Sequence, residues 1–530
     1  MSRLHTPLRA TASLVRVSAP KSFQGAREKG DFMRKRQLAI LALVAACLTT
    51  LAVIAGSATA GPFTVAPPAV ISAPSPFTNC NIGLPDGGTN YLNAEVEPWV
   101  AVNPANASNI IGVYQQDRWS NGGARGLVAS VTHDGGATWT RSWAPFSFCS
   151  GGNAANGGDF ERASDPWVTF APNGDAYQIA INFNGGFNFD NAVTVSKSTD
   201  GGDTWSPLTT LIREADPLSF NDKESITADP FNANYVYAVW DRSRFPSDQA
   251  SFNALHGFSF RGDIWFSRTT NGGASWEPAR PIFVPRANQF SIGNQIVVLP
   301  NGDLVDITFL AHGSSNQRSA WDVAVLRSTN RGVTWSSPII VSGVQAVSVR
   351  DPETGQLIRT GDILPEIAVD RASGALYAVW QDARFSIPPP GHAYAGIALS
   401  KSTDGGFTWT SPVQVNQRPD VQALTPSVEV GANGTVGVTY YDFRNNTSDP
   451  GTLPTDYFIV HSHDGGATFG DEAHVAGPFD MKTAPRAGGF FVGDYEGLAT
   501  IGNTFIPVFV QANSGNTANR TDVFETTAGP

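Results

Sequence analysis

Apolar and polar positions alternate with a period of two along most of the chain beyond residue 96. Examples are Ala192-Val193-Thr194-Val195-Ser196-Lys197-Ser198 and Pro412-Val413-Gln414-Val415. That period places successive side chains on opposite faces of a strand, so it predicts short β-strands with one buried face. Between many of these strands stands the octapeptide Ser/Thr-x-Asp/Asn-x-Gly-x-Thr/Ser-Trp/Phe, centred on Asp134, Asp200, Asn271, Asn330, Asp404 and Asp464. Its Asp or Asn can accept bonds from its own turn, its Gly supplies positive φ, and its aromatic can pack beneath, which predicts a tight hairpin. Two further strands precede each copy. In one, Glu366-Ile367-Ala368-Val369-Asp370 turns at Ser373-Gly374 into Ala375-Leu376-Tyr377-Ala378-Val379-Trp380. Four antiparallel strands per repeat make one propeller blade.

The six octapeptides lie 59 to 74 residues apart. After the sixth, strands are expected from Gly493, Thr504 and Thr521, and a fourth is lacking. The stretch Phe63 to Ile71 can supply it and close the ring, which removes exposed sheet edges. The expected fold is therefore all-β, a propeller of seven four-stranded blades over residues 96–530, with 61–95 as an N-terminal segment. Six blades with a C-terminal extension is the alternative.

Composition agrees with strands rather than long helices: 53 Gly, 36 Pro, 13 Trp and only 15% charged residues. A net charge of −11 excludes a phosphate-binding surface spread over the molecule, so nucleic acid is not an expected partner. Residues 1–60 read as a leader. Met33-Arg34-Lys35-Arg36 is basic, Leu38 to Ala55 is apolar and Ala58-Thr59-Ala60 resembles a cleavage site, with Met33 a candidate true start. Two alternatives remain open: lipidation at Cys47 within Val44-Ala45-Ala46-Cys47, or an uncleaved membrane anchor. In each case the body is exported, secreted or held at the cell surface, and a monomer is expected. It would keep only Cys80 and Cys149, which in an oxidising compartment pair most simply with each other.

The octapeptides resemble the Asp-box repeats of the sialidase superfamily, and the resemblance runs across nearly all of residues 96–530. It implies a propeller whose Asp-boxes are structural turns on the face opposite the active site, and an exo-α-sialidase-like glycoside hydrolase. Such enzymes hold the substrate carboxylate with three arginines and use a Tyr nucleophile beside a Glu, with an Asp acid/base. The Arg-Ile-Pro motif expected for the first arginine is absent here.

Strand order alone puts the loops entering each blade, and those after its second strand, on the face away from the octapeptides. The candidate catalytic residues there are Asp165, Asp222, Glu224, Glu366, Asp494, Tyr495 and Glu496. Strand alternation would point Asp222 with Glu224 and Asp494 with Glu496, away from Lys223 and Tyr495. Paired carboxylates, one protonated and one ionised, are the requirement of glycoside hydrolysis. Arg118, Arg162, Lys223, Arg244, Arg384 and Arg444 are candidates to bind an anionic sugar; otherwise the Asp-x-Arg sequences are blade-to-blade ion pairs. Trp99, Trp119 and Trp167 are either sugar platforms or interblade packing. No metal-ligand or phosphate-loop motif occurs, and no cofactor is expected beyond a structural calcium in acidic loops such as Asp159 to Asp165. The competing functional classes are a non-catalytic propeller that binds glycan or protein, and a sugar-polymer lyase.

Overall fold

The computed structural model describes residues 63–83, 87–186, 188–245, 261–286, 289–314 and 317–530. The leader with Met33 and Cys47 lies outside the described residues. Among those described, the chain is almost entirely β, and its strands are overwhelmingly antiparallel.

The strands fall into consecutive four-stranded groups, here called units. Their first strands are Glu95–Val102, Arg162–Phe170, Ser219–Ala228, Gln289–Val298, Glu366–Val369, Ala423–Val430 and Gly497–Ile501. Within each unit, strands pair in sequence order. The seventh has three long strands and the two-residue Ala528–Gly529 of its own, and Ala69–Val70 from the N-terminal segment pairs with Glu525 and Phe524 at its edge. Each first strand packs beside the first strand of the next unit, and that of the seventh beside that of the first. The apolar core lies between neighbouring sheets. Val239, Ile264 and Phe266 of the third unit, for example, meet Ile296, Leu304 and Leu326 of the fourth.

Every octapeptide sits between the third and fourth strands of its unit. In the first, Asp134 accepts from Thr132 Oγ1 at 2.7 Å, from the Thr138 amide at 2.9 Å and from Thr138 Oγ1 at 2.7 Å. These bonds lower the Asp134 carboxyl to about 2. The aromatic does more than pack beneath its own turn: Trp205 donates to Ser142 Oγ of the preceding unit at 2.9 Å. Gly202, at φ 106°, presses on Ile111 of that unit, where a Cβ would stand 2.6 Å from Cδ1. The repeat therefore fixes both the hairpin and its docking on the neighbour. Cys80 and Cys149 are bonded, Cα atoms 5.5 Å apart, and tie the N-terminal segment to the loop after the first unit.

Candidate functional site

A β-bulge recurs in the first strands and positions the candidate side chains. The pairing register slips between Val96 and Trp99, Ser164 and Trp167, Asp222 and Ser225, Ile292 and Gln295, and Leu424 and Ser427. At each slip one residue is left-handed: Glu97 (φ 55°), Asp165 (53°), Lys223 (44°), Gly293 (79°) and Thr425 (50°). A bulge inserts an extra residue and re-aims the side chains around it. Simple alternation therefore fails here. Asp222 and Lys223 both line the same cavity, whereas Glu224 is fully buried outside its lining.

That cavity has a volume of about 280 Å³ and opens on the face of the loops entering the units. Asp165, Asp222, Asp362 and Asp494 line it with Arg118, Lys223 and Arg359, between apolar walls that include Phe183, Phe220 and Leu364. Arg118 donates to Gln115 at 3.0 Å; Gln115 donates to Ser164 at 3.0 Å and also to Glu97. Ser164 in turn donates to Asp165 at 2.8 Å. Arg359 Nε lies 3.1 Å from both Asp494 oxygens, and its Nη2 also donates to that carboxylate. The two guanidiniums share the Phe491 ring, at 5.1 Å for Arg118 and 4.4 Å for Arg359. Below lie Trp99 and Trp167, stacked at 3.4 Å, with Tyr495 tilted against Trp167 at 5.3 Å. Lys223 Nζ stands 3.8 Å from the Tyr495 ring centre and 4.4 Å from that of Trp167.

Burial and mutual repulsion separate the acids. Burial, then the Asp165 charge, pushes Asp222 up to about 7, with Arg359 opposing. Asp362 rises to about 6 by burial and the Asp494 charge. Glu97 and Glu224 are driven well above the usual carboxylate range, first by burial and then by Asp165. A near-neutral carboxyl thus stands in one cavity with a carboxylate gripped by arginine.

The structure brings together Asp165, Asp222, Asp494, Arg118 and Lys223 of the sequence candidates. Tyr495 is close but buried; its hydroxyl donates to the Pro166 carbonyl at 3.4 Å, and burial with the Glu97 charge holds its phenol well above the usual range. Glu366 accepts from Ser427 Oγ at 2.6 Å, and Glu496 from the Val510 amide at 3.1 Å, which ties each to a neighbouring strand outside the cavity lining. Arg162 lies over Trp119 and donates to Asn121, Arg244 pairs with Asp263, Arg384 with Asp382 and Arg444 with Asp442 and Glu472. None of these four arginines lines the cavity. The ion pairs of Arg244, Arg384 and Arg444 form within one unit rather than between blades, because each Arg turns back on strands of its own sheet. In the loop considered for calcium, Asp159 is engaged by Arg213 at 2.8 Å. Among the described residues no group of three or more His, Cys, Asp or Glu is arranged to hold a metal ion.

Arg359 was not among the sequence candidates. It lies in the segment between Gly343 and Glu366, and the signal for it is the widest octapeptide spacing, from Asn330 to Asp404. This segment acts as a strap. Arg350 exchanges two hydrogen bonds with Gln422, Ile358 bridges to Phe490, and the Arg359 amide donates to the Phe490 carbonyl at 2.9 Å.

No family model matches the chain. Over 252 residues it is 28% identical to the xyloglucanase Xgh74A of Acetivibrio thermocellus, which covers 45% of this chain and 25% of that protein. The chain thus spans about a quarter of the length of the curated relative it matches. It is similar to the solved α-L-arabinanase of Penicillium chrysogenum complexed with arabinobiose, at 11% identity and TM-score 0.45, covering 87% of this chain and 98% of that one. It is also similar to an α-L-arabinofuranosidase of Fusarium graminearum with arabinobiose, at 12% identity and TM-score 0.42, covering 69% and 93%. A variant of the NanB sialidase from Streptococcus pneumoniae gives 9% identity and TM-score 0.42, covering 89% and 99%.

Proposed function

We propose that the chain is an exported, monomeric, seven-bladed propeller that hydrolyses glycosidic bonds in the cavity shared by Asp222 and Asp494. The observation that carries this reading is a raised carboxyl and an arginine-paired carboxylate on the lining of one cavity. Asp222 sits at about 7 and can give a proton to a leaving oxygen at neutral pH, while Asp494, paired with Arg359, is the candidate base or nucleophile. The consecutive sheets, the cyclic order of their first strands and the N-terminal strand at the seventh edge support the blade count. The disulfide and the leader support export.

The cavity is small enough to favour one terminal sugar over an open chain. Arg118, Lys223 and Arg359 on its wall support an acidic sugar of the sialic acid type, and the name of the xyloglucanase relative supports a neutral plant glycan. The engaged, high-pKa Tyr495 favours a carboxylate pair over a tyrosine nucleophile. The test is release of 4-methylumbelliferone from α-sialosides, α-L-arabinofuranosides and β-glucosides, together with cleavage of xyloglucan oligosaccharides, between about pH 5 and 8. Turnover abolished in Asp222→Asn and Asp494→Asn is the expected result. No turnover in the wild type, with retention on a glycan array, would replace the hydrolase by a binding propeller.

A further inference from the structure

The strap that carries Arg359 follows the fourth unit in sequence, yet it is anchored on the sixth and seventh. Gln422 holds Arg350, Lys482 pairs with Asp351 at 2.6 Å and Asn446 donates to Glu353 at 2.7 Å. Beyond these anchors Leu357, Ile358 and Arg359 run along Phe490 and leave no clearance. A Cβ on Gly489 would stand 2.7 Å from the Arg359 amide, and one on Gly361 would collide with the Asp494 carbonyl. The strap is therefore seated directly on the loop that presents Asp494.

Asp494 lies in a crowd of like charge. Glu97 from the first unit, Asp222 from the third and Asp362 from the strap are all acted on by it, with Tyr495 beside it and Asp165 of the second unit on the same cavity wall. The cations lining this cavity are Arg118, Lys223 and Arg359, and Arg359 is in direct contact with the Asp494 carboxylate. Partial burial and like charge disfavour the ionised form of such a group unless a partner compensates it.

We propose that Arg359 is a positioning residue for the reaction assigned to this cavity: the strap delivers its guanidinium across the sixth unit to fix the Asp494 carboxylate, ionised and oriented, beside Asp222. The inference rests on the hydrolase reading and adds a residue that no repeat unit supplies. The bidentate fork sets orientation as well as charge, so a lysine replaces it only in part.

The experiment compares wild type, Arg359→Met, Arg359→Lys and Gly361→Ala in two measurements. The first is steady-state kinetics on whichever fluorogenic glycoside the wild type cleaves. Arg359→Met is expected to lose about 10²-fold in kcat with KM little changed, Arg359→Lys to recover part of it, and Gly361→Ala to show the same loss with the arginine intact. The second is thermal melting from about pH 5 to about pH 8, which needs no substrate. Without its cation the half-buried Asp494, set among other carboxyls, should hold its proton to higher pH, so the folded variant loses stability as pH rises and its gap to wild type widens. A gap constant across pH means lost packing and overturns the inference. So does a rise in KM at constant kcat, which marks an arginine that grips substrate. Wild-type turnover retained in Arg359→Met overturns the inference alone, whereas a wild type that cleaves nothing in the panel removes the hydrolase reading and the inference together.

Discussion

Replacing Asp222 by Asn tests the electrostatics of the cavity independently of any substrate. The Asp222 carboxyl lines the cavity, accepts the Lys223 amide at 3.1 Å and is raised to about 7 by burial and by Asp165. From an ordinary aspartate this is roughly three pH units, or about 4 kcal/mol. One side of the carboxyl is open to the cavity, and screening there brings the expected figure down to about 2 kcal/mol. The sign follows from proton binding. Below about pH 4 the folded and unfolded chains both hold the proton and Asp222 costs nothing. Between about pH 4 and 7 the unfolded chain releases it while the folded protein retains it, so stability falls as pH rises through that window. Asparagine does not titrate. Urea unfolding at about pH 4.5 and pH 8 should therefore show the variant gaining about 2 kcal/mol on wild type at the higher pH. The same substitution removes the proposed acid and should cost about 10²- to 10⁴-fold in turnover. A variant-to-wild-type difference that stays constant with pH, or that moves in favour of wild type as pH rises, would refute the assignment of Asp222 as the raised carboxyl.

Three other substitutions probe the scaffold. Replacing Cys80 and Cys149 by Ser releases a cross-link spanning 69 residues and should cost about 4 kcal/mol in the chain-entropy account, read by urea unfolding against the oxidised wild type. Asp464→Ala removes the acceptor for Ser462 Oγ, the Ala467 and Thr468 amides and Thr468 Oγ1; at this exposed turn the expected cost is about 1 kcal/mol near neutral pH. Because Asp464 is lowered to about 2, that cost should fade as pH falls from about 4 towards 2. Trp167→Ala deletes one half of the Trp99 stack and one ring beneath Lys223; a loss of about 3 to 5 kcal/mol in chemical unfolding is expected, as for other large core aromatics.

Local signals carried the scaffold, and long-range ones hid much of the site. The octapeptides are legible because Asp or Asn, Gly and the aromatic act within a few residues of one another, as the bonds around Asp134 and Asp464 show. The need of the last unit for a further strand is legible from its length alone, and Ala69–Val70 stands there. Alternation misled at Asp222 and Glu224 because the bulge needs a left-handed residue, and Lys223 carries no sequence mark of that conformation. The arginines of Asp442-Phe443-Arg444 and its counterparts read more readily as ion pairs than as ligand clamps, and geometry decides between the two. The segment that carries Arg359 stands out in the sequence only as extra length. The arginine's partner, Asp494, lies far along the chain, and the pairing of Ile358 with Phe490 that delivers it has no local code.

The bulges also argue for where function has been placed. The fourth and sixth units meet the left-handed position with Gly293 and Thr425, so the turn itself does not require charge. Glycine takes that conformation freely, whereas another residue costs on the order of 1 kcal/mol there. The first three units nevertheless put Glu97, Asp165 and Lys223 in it. Asp165 and Lys223 line the cavity, and Glu97 is bonded through Gln115 to the Ser164 that holds Asp165. Strain is thus accepted together with burial and like-charge repulsion, on one side of an otherwise repetitive scaffold. Costs of three kinds that coincide at one cavity are better explained by a task performed there than by the needs of the fold. The strap bears on the same point, since the largest departure from the repeat length delivers its guanidinium to that cavity.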